Sequence, residues 1–230
     1  VLVADTDHHR LVKFVYDPKA DRYKGEVMAG SLEGCAQGDS LAAQFRYPYT
    51  VIPGHRPGLA YACDTDNHRI VAIANGKVTT VAGSSKSYQG EMGYKDGPGS
   101  EALFCRPTHI TLSRDGHSLI VTDHGNQCIR EINDIQREAK THVVTLAGVP
   151  GKSGFKDGPL ASAMFSNPFS TTRISDSKIL VADLANHRVR MIDSDTKQVT
   201  TVLGDGTTRS LNCPVSILAR GEGDAEKDKG

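Results

Sequence analysis

The sequence of 230 residues contains no tryptophan and carries no net charge, because Lys+Arg and Asp+Glu number 27 each. It also lacks any run of about 18 apolar residues, so we expect no membrane insertion within this segment. A neutral chain has no general electrostatic attraction for nucleic acids or anionic membranes. Glycine is abundant by contrast, with 23 residues spread along the chain, which fits a compact fold with many turns.

Cysteine is present in an odd number, and no two cysteines form a C-x-x-C pair. This pattern argues against a zinc ribbon and against a full disulfide framework. We interpret the cysteines as small buried thiols, which favours a reducing, intracellular compartment. The five are Cys35, Cys63, Cys105, Cys128 and Cys213.

The chain starts at Val1 within a strand-like stretch, "VLVAD", and has no initiator methionine. We therefore expect a processed or excised segment of a longer protein. A signal peptide or an anchor of that longer protein is left open by this sequence.

A polar cluster recurs four times without gaps, as "ADTDHHRLVKF", "CDTDNHRIVAI", "TDHGNQCIREI" and "ADLANHRVRMI". A catalytic site normally occurs once, so we interpret this cluster as structural. Asp and Asn bond to nearby backbone amides and suit tight turns, and the Arg would pair with an Asp or cap carbonyls in a neighbouring unit. The leading aspartates, 59, 59 and 60 residues apart, are Asp5, Asp64, Asp123 and Asp183. The other motif residues are Asn67, His68, Arg69, Asn126, Asn186, His187 and Arg188.

Other landmarks recur in the same order and divide the chain into units. An apolar residue precedes a proline by three places in "FRYP", "FCRP", "FSNP" and "LNCP", and a β-branched stretch follows each proline. Four short strands per unit, with no long helix, predict the blades of a β-propeller. The predicted units are 1–47, 48–106, 107–167 and 168–213, followed by a closing strand, 214–220.

The signature of an aliphatic strand, an Asp and then "NHRI" resembles the NHL-repeat family. The match is fullest from Asp64 to Ile70 and from Asp183 to Val189, and it is weaker at Asp5 and Asp123. The resemblance covers roughly residues 1–220 and implies a β-propeller, which in this family usually has six blades. Four units allow either a closed four-blade ring or an arc of a larger propeller. We favour the closed ring, because it leaves no strand edge with unpaired backbone groups. We expect the charged tail 221–230 to be disordered.

A catalytic site of a β-propeller would use the residues that line its central channel. Amidating lyases of the wider propeller superfamily place three histidines around a zinc ion, but the first strands here offer only His109. No carboxylate is out of phase with the repeat, and "DTDNHR" lacks the glycine of a calcium loop. We therefore expect no catalytic residues, no metal and no cofactor, although spacing alone does not exclude a Ser-His-Asp triad.

RNA binding is the second alternative, because some NHL proteins bind RNA through a basic face. The richest charged run, Ile129–His142, mixes both signs, so we interpret it as a solvated loop. We expect no nucleic-acid partner. The candidates for a local basic patch are Arg46, Arg106, Arg130, Arg137, Lys140, Arg188 and Arg190.

Departures from the repeat are the places where function is expected. The loop Ser84–Pro98 is longer than its counterparts, and the insertion Asn133–His142 has the pattern of a hairpin tip open to a partner. We predict a non-catalytic scaffold that binds a protein partner, with a metal-dependent hydrolase or lyase and an RNA-binding domain as alternatives. The candidate binding residues are His109, Tyr49, Tyr88, Met92, Arg137 and Lys140.

Overall fold

A computed structural model describes residues 1–84 and 91–207, and these residues form four antiparallel sheets, which we call blades 1 to 4. Blade 1 has three strands, namely β1 (Leu2–Asp5), β2 (Arg10–Asp17) and β3 (Arg22–Ala29). Blade 2 has five, namely β4 (Gly38–Asp39), β5 (Pro48–Pro53), β6 (Leu59–Asp64), β7 (Arg69–Ala74) and β8 (Lys77–Ala82).

The next two blades repeat the pattern of blade 2. Blade 3 contains β9 (Gly97–Pro98), β10 (Pro107–Leu112), β11 (Leu119–Asp123), β12 (Cys128–Asn133) and β13 (His142–Ala147). Blade 4 contains β14 (Gly158–Pro159), β15 (Pro168–Arg173), β16 (Lys178–Asp183), β17 (Arg188–Asp193) and β18 (Gln198–Leu203). A 3-10 turn, Glu138–Lys140, lies in the connection between β12 and β13.

Each of blades 2 to 4 is a four-stranded meander to which a two-residue strand is added. The short strands β4, β9 and β14 pair with the last strands β8, β13 and β18, respectively. The sequence predicts four strands per blade and misses this fifth, because Gly-Asp and Gly-Pro have no strand propensity of their own. The added strand covers part of an outer edge that would otherwise expose unpaired backbone groups.

The inner strands β5, β10 and β15 lie side by side and are joined by side-chain bonds to backbone. Thr50 Oγ1 donates to the Thr108 carbonyl at 2.7 Å, and Thr108 Oγ1 donates to the Phe169 carbonyl at 2.7 Å. Between the blades lie three clusters of buried apolar side chains. The residues three places before the prolines, Phe45, Phe104 and Phe165, are fully buried in these clusters.

The polar motif forms a 3-10 turn between the second and third strands of the meander, for example Thr65–Asn67 between β6 and β7. The residue after each turn is left-handed, with φ between 50° and 58°; the four are His9, His68, Gln127 and His187. In blades 2 to 4 the asparagine directly precedes the left-handed residue, and its side-chain amide donates to the motif aspartate. Gly83, with φ +105°, passes so close to the turn that a Cβ would lie 2.7 Å from the His68 carbonyl.

The described cysteines are all free thiols, of which Cys63 and Cys128 are buried and Cys35 and Cys105 are partly exposed. Cys213, the predicted closing strand 214–220 and the tail 221–230 lie outside the described residues. Within residues 1–84 and 91–207, no helix is long and apolar enough to cross a membrane.

Candidate binding face

The motif turns and the first residues of the inner strands lie at the same end of the blades, which we call the motif face. The register shows this directly, because Pro48 is opposite Asp64, Pro107 is opposite Asp123, and Pro168 is opposite Asp183. The opposite end, which carries the connections between β5 and β6 and between β7 and β8 and their equivalents, we call the turn face.

The motif aspartate is the centre of a buried clasp. In blade 3, Asp123 accepts hydrogen bonds from the Cys105 amide at 2.8 Å, from Asn126 Nδ2 at 2.8 Å and from Arg130 Nη1 at 2.9 Å. Asn126 Nδ2 also donates to the Gly93 carbonyl at 2.8 Å. The clasp thus ties the turn to the loop that leads from one blade into the next.

The same clasp occurs in blade 2 and in blade 4. Asp64 accepts from the Arg46 amide at 2.8 Å, from Asn67 at 2.9 Å and from Arg69 Nε at 2.7 Å. Asp183 has the equivalent donors, which are the Ser166 amide, Asn186 and Arg190. Because fixed donors already surround these carboxylates, none of them is free to bind a metal or attack a substrate.

Burial has the largest effect on the pKa of these carboxyl groups. It raises the pKa of Asp123 to about 6, against the opposing effects of the Arg130 charge and the hydrogen bonds. It also raises the pKa of Asp64 and of Asp183. Asp5 in blade 1 is more exposed, and hydrogen bonds from His8 and Arg10 lower its pKa. These directions follow the packing around each turn, and they require no catalytic role.

In blades 1 to 3, the left-handed residue of the turn makes a bond to the next blade. His9 Nδ1 accepts from the Tyr47 amide at 3.2 Å, and His68 Nδ1 accepts from the Arg106 amide at 3.1 Å. In blade 3, Gln127 Oε1 accepts from the Asn167 amide at 2.7 Å. The donor is always the residue before the inner-strand proline.

In the same three blades, the first residue of the turn adds a second bond to the next blade. Thr6 Oγ1 donates to the Pro48 carbonyl at 2.8 Å, and Thr65 Oγ1 donates to the Pro107 carbonyl at 2.8 Å. His124 Nδ1 lies 3.1 Å from the Pro168 carbonyl and replaces the threonine in blade 3. We call the two bonds together the blade latch.

His109, the histidine of the inner strands, is largely buried. Burial lowers its pKa to about 4, so the ring is neutral at pH 7, and Nδ1 accepts a long bond of 3.4 Å from the Thr171 amide. Within residues 1–84 and 91–207, no three His, Cys, Asp or Glu side chains are grouped so that they could hold a metal ion.

The other predicted binding residues do not form one site. Tyr49 is 41% exposed on the motif face, and Met92 is 62% exposed in the loop before blade 3. Lys140, in the turn Glu138–Lys140, and Arg137, directly before that turn, are exposed on the turn face. Tyr88 lies outside the described residues.

The predicted open hairpin tip is partly packed. Ile135 packs against the cluster between blades 2 and 3, and Gln136 Nε2 donates to the Gly116 carbonyl at 3.0 Å. On the same face, a cleft of about 380 Å³ between blades 2 and 3 is lined by residues that include His55, Tyr61 and Gln136.

A small aromatic cluster on the motif face was not predicted from the sequence. The rings of Tyr49 and Phe169 meet edge to face at 6.0 Å, and those of His124 and Phe169 at 6.2 Å. Tyr47, 38% exposed, lies on the same face with its ring edge-on to His9 at 4.8 Å. The available signal was position, because Tyr49 and Phe169 each directly follow an inner-strand proline.

Two of the candidates for a basic patch are not on the surface, since Arg130 and Arg190 are fully buried in ion pairs. Arg46 pairs with Glu33 at 2.9 Å, and Arg106 pairs with Asp66 at 2.9 Å. Arg188 stacks over the Phe155 ring at 3.9 Å.

These meanders, packed side by side around shared inner strands, define a β-propeller-type fold, and comparison with solved structures agrees. An auxiliary nutrient binding protein from Bacteroides ovatus matches with a TM-score of 0.58 and 20% identity over 87% of this chain and 45% of that one. A protein of unknown function from Bacteroides thetaiotaomicron matches with a TM-score of 0.60 and 18% identity, over 86% of this chain and 42% of that one. The prediction of a β-propeller fold is confirmed, and these structures indicate fold alone.

Two curated proteins are similar in sequence, whereas no family model matches the chain. The chain is 30% identical over 199 residues to Protein SUPPRESSOR OF QUENCHING 1, chloroplastic, from Arabidopsis thaliana, covering 84% of this chain and 18% of that protein. It is 36% identical over 114 residues to NHL repeat-containing protein 2 from Gallus gallus, covering 49% of this chain and 14% of that protein. The chain therefore spans less than a fifth of either relative.

Proposed function

We propose that the chain is an NHL-type β-propeller module, spanning residues 1–220, that binds a protein partner through its motif face and has no catalytic activity. The sequence similarity to an NHL repeat-containing protein supports the NHL assignment. The low coverage of both relatives supports a module of a longer protein.

The observation that carries this proposal is the contrast between buried polar groups and exposed aromatic groups on one face. The motif carboxylates already accept hydrogen bonds from donors within the chain. Tyr47, Tyr49 and Met92, in contrast, expose apolar area around the motif turns. Tyrosine and methionine are enriched in protein interfaces, and clustered aromatic anchors carry much of the binding energy there. Surrounding ion pairs such as Arg106–Asp66 would form a polar rim.

The test is capture of a partner from an extract of the source organism by the chain and by matched variants. Tyr49→Ala removes an anchor of the motif face, whereas Tyr23→Ala removes a tyrosine that is 60% exposed on the turn face. We expect a partner that is lost with Tyr49→Ala, kept with Tyr23→Ala, and cross-linked to a photoreactive side chain placed at position 49. Equal capture by both variants would contradict the proposed face.

The metal-dependent alternative has its own test. Metal content of the chain purified without chelator, measured by mass spectrometry, is compared with that of His109→Ala. A stoichiometric metal that is lost in the variant would overturn the non-catalytic proposal and direct the search to ester, lactone and lyase substrates.

A further inference from the structure

The cleft of about 380 Å³ between blades 2 and 3, on the turn face, contains a buried polar group without a partner. Tyr61, the third residue of β6, is only 2% exposed and lines this cleft. Its hydroxyl forms no hydrogen bond with any group in residues 1–84 and 91–207. Buried polar groups are normally paired within the protein, so this hydroxyl is a candidate contact for a ligand in the cleft.

The cleft lies where blade 2 departs from its own repeat. Tyr61 is opposite Ala72, and Ala74 lies two residues further along β7, on the same side of the sheet. The residues at these three positions are Ile120, Glu131 and Asn133 in blade 3, and Leu180, Met191 and Asp193 in blade 4. The fold therefore requires no tyrosine at this place, and blade 2 combines a phenol with two small side chains.

The other walls of the cleft are apolar or already bonded. Leu59 and Ile135 belong to the packed cluster between the two blades. Gln136 Nε2 donates to the Gly116 carbonyl at 3.0 Å, and a Cβ on Gly116 would collide with the His55 side chain. This contact between the blades closes one end of the cleft. Apolar walls with a few polar groups are typical of sites for small organic molecules.

Positive charge lies at the mouth of the cleft. Arg56, in the connection between β5 and β6, is exposed and lines the cleft. None of the described lining residues is acidic, and no carboxylate in the described part of the chain pairs with Arg56. Burial raises the pKa of Tyr61 more than the Arg56 charge lowers it, so the phenol keeps its proton at pH 7 and can donate it. Both groups are thus donors suited to an anionic oxygen.

We propose that this cleft binds a small organic carboxylate with an apolar body. The carboxylate accepts from the Tyr61 hydroxyl and the Arg56 guanidinium, and the apolar body lies against Leu59, Ala72 and Ile135. The volume of about 380 Å³ is at the small end of the range of roughly 300–1,000 Å³ for ligand sites, so the ligand has the size of a short acid with one phenyl or branched alkyl group. This site is on the turn face, so it can fail while the proposed function of the motif face stands, and the reverse.

The first experiment measures binding of 3-phenylpropionate to the full chain by NMR, from the shifts of assigned backbone amide signals. The neutral 3-phenylpropionamide tests the charge, and acetate tests a carboxylate without an apolar body. We expect saturable shifts at Ala72, Thr79 and Ile135 with 3-phenylpropionate and about tenfold weaker binding of the amide, because hydrogen bonds to a charged group are the stronger ones. Acetate should give no saturable shifts at these residues.

Matched variants assign the polar contacts. Tyr61→Phe removes only the hydroxyl and should weaken 3-phenylpropionate about tenfold, whereas Tyr23→Phe alters an exposed tyrosine of the same face and should change nothing. Without ligand, Tyr61→Phe should not lower the midpoint of thermal unfolding, because its hydroxyl has no partner in the described chain. Arg56→Gln should weaken the carboxylate about threefold and leave the amide unchanged, since the guanidinium is exposed.

A further variant tests the space for the apolar body. Ala72→Met introduces the side chain that blade 4 has at this position, Met191, and should abolish binding of both 3-phenylpropionate and its amide. If Ala72→Met lowers the unfolding midpoint, Tyr61→Phe decides alone.

Three results would overturn the proposal. The first is no saturable binding of 3-phenylpropionate, as expected of a cleft that holds only water. The second is equal affinity in wild type and Tyr61→Phe, which would place the carboxylate elsewhere. The third is binding at the same amides of a peptide that ends in phenylalanine, without binding of 3-phenylpropionate, which would identify a protein C-terminus as the occupant.

Discussion

Blade 2 and blade 3 build the same clasp with an arginine from different positions. In blade 2 the aspartate pairs with Arg69, the first residue of β7, whereas in blade 3 it pairs with Arg130, the third residue of β12. The third residue of β7 is Val71, which is buried in the apolar cluster instead. The clasp therefore requires a buried guanidinium near the carboxylate, and it does not require one particular position in the repeat.

The position of the arginine decides what else the blade contains. Arg130 also bonds Asp96, and Arg190 in blade 4 bonds Asp157 at 2.6 Å, so each of these arginines joins two carboxylates. Blade 2 has Gln37 at the corresponding place, where it accepts from the Thr80 amide at 2.8 Å. The Thr80 hydroxyl has no partner, whereas the equivalent Thr145 hydroxyl bonds Asp96.

The largest expected effect comes from removing the shared aspartate in each blade. Asp64→Ala leaves Arg69 buried without a carboxylate, and we expect a loss of about 3–5 kcal/mol in the free energy of unfolding. Asp123→Ala should cost roughly half as much, because Arg130 keeps Asp96. Urea denaturation of both variants measures the difference. Equal losses would show that the second carboxylate adds nothing.

The inner strands allow a comparison by pH, since blade 3 has His109 where blade 2 has Thr50. The pKa of His109 is lowered to about 4 in the folded chain and is about 6.5 when unfolded, so the fold favours the neutral ring. The neutral ring therefore makes its full contribution to the free energy of unfolding above about pH 6.5. As pH falls toward 4, this contribution is lost, and the loss amounts to up to about 3 kcal/mol.

His109→Gln keeps an acceptor for the Thr171 amide but does not titrate. We expect wild type and variant to have similar urea midpoints at pH 7.5 and the variant to be the more stable at pH 4.5. The buried aspartates have raised pKa values and act in the opposite direction, so the difference between the two proteins is the quantity to compare. Parallel pH profiles would contradict the assignment to His109.

A transplant tests whether the two arginine arrangements are interchangeable. Val71→Arg alone places an unpaired charge in an apolar cluster and should destabilise the chain strongly. Adding Gln37→Asp and Arg69→Val gives blade 2 the arrangement of blade 3, and we expect recovery of about 1–2 kcal/mol beyond additivity. Additive losses in the triple variant, measured by thermal or urea unfolding, would show that the loop of blade 2 cannot present the second carboxylate.

The smallest effect concerns one bond of the latch, which His68 makes in blade 2 and Gln127 makes in blade 3. His68→Gln should leave stability unchanged, because Gln127 makes the same bond at 2.7 Å. His68→Ala leaves the Arg106 amide without its acceptor and should cost about 1 kcal/mol. Loss of stability in both variants would mean that the imidazole ring matters for packing and not as an acceptor.

The meander and its turns could be predicted from four in-phase repeats, because strand alternation and the Asp-centred turn are local features. The positions of Arg130 and Arg190 could not, since the pairing of a side chain across a blade is a tertiary choice. One signal was visible in the chain itself, where an arginine at the third strand position accompanies Asp96 or Asp157, and Val71 accompanies Gln37.

The candidate face was less predictable than the fold. Tyr49 was among the predicted binding residues, but Phe169 and His124 were not, because ring contacts arise only when neighbouring blades pack. Arg137 and Lys140 were also among the predicted binding residues, yet they lie at the opposite end of the blade, because they are in the connection between β12 and β13. The place of a residue in the repeat predicts its position within a blade. Which side chains meet depends on how neighbouring blades pack.

The latch has a consequence for how such a chain changes over time. Its partners in the next blade are backbone atoms, namely the proline carbonyl and the preceding amide, and side chains as different as Tyr47, Arg106 and Asn167 supply that amide. A duplicated or exchanged repeat can therefore form the latch with its new neighbour, provided that the proline is kept. Repeat number can grow by whole units while the surface of each unit diverges independently.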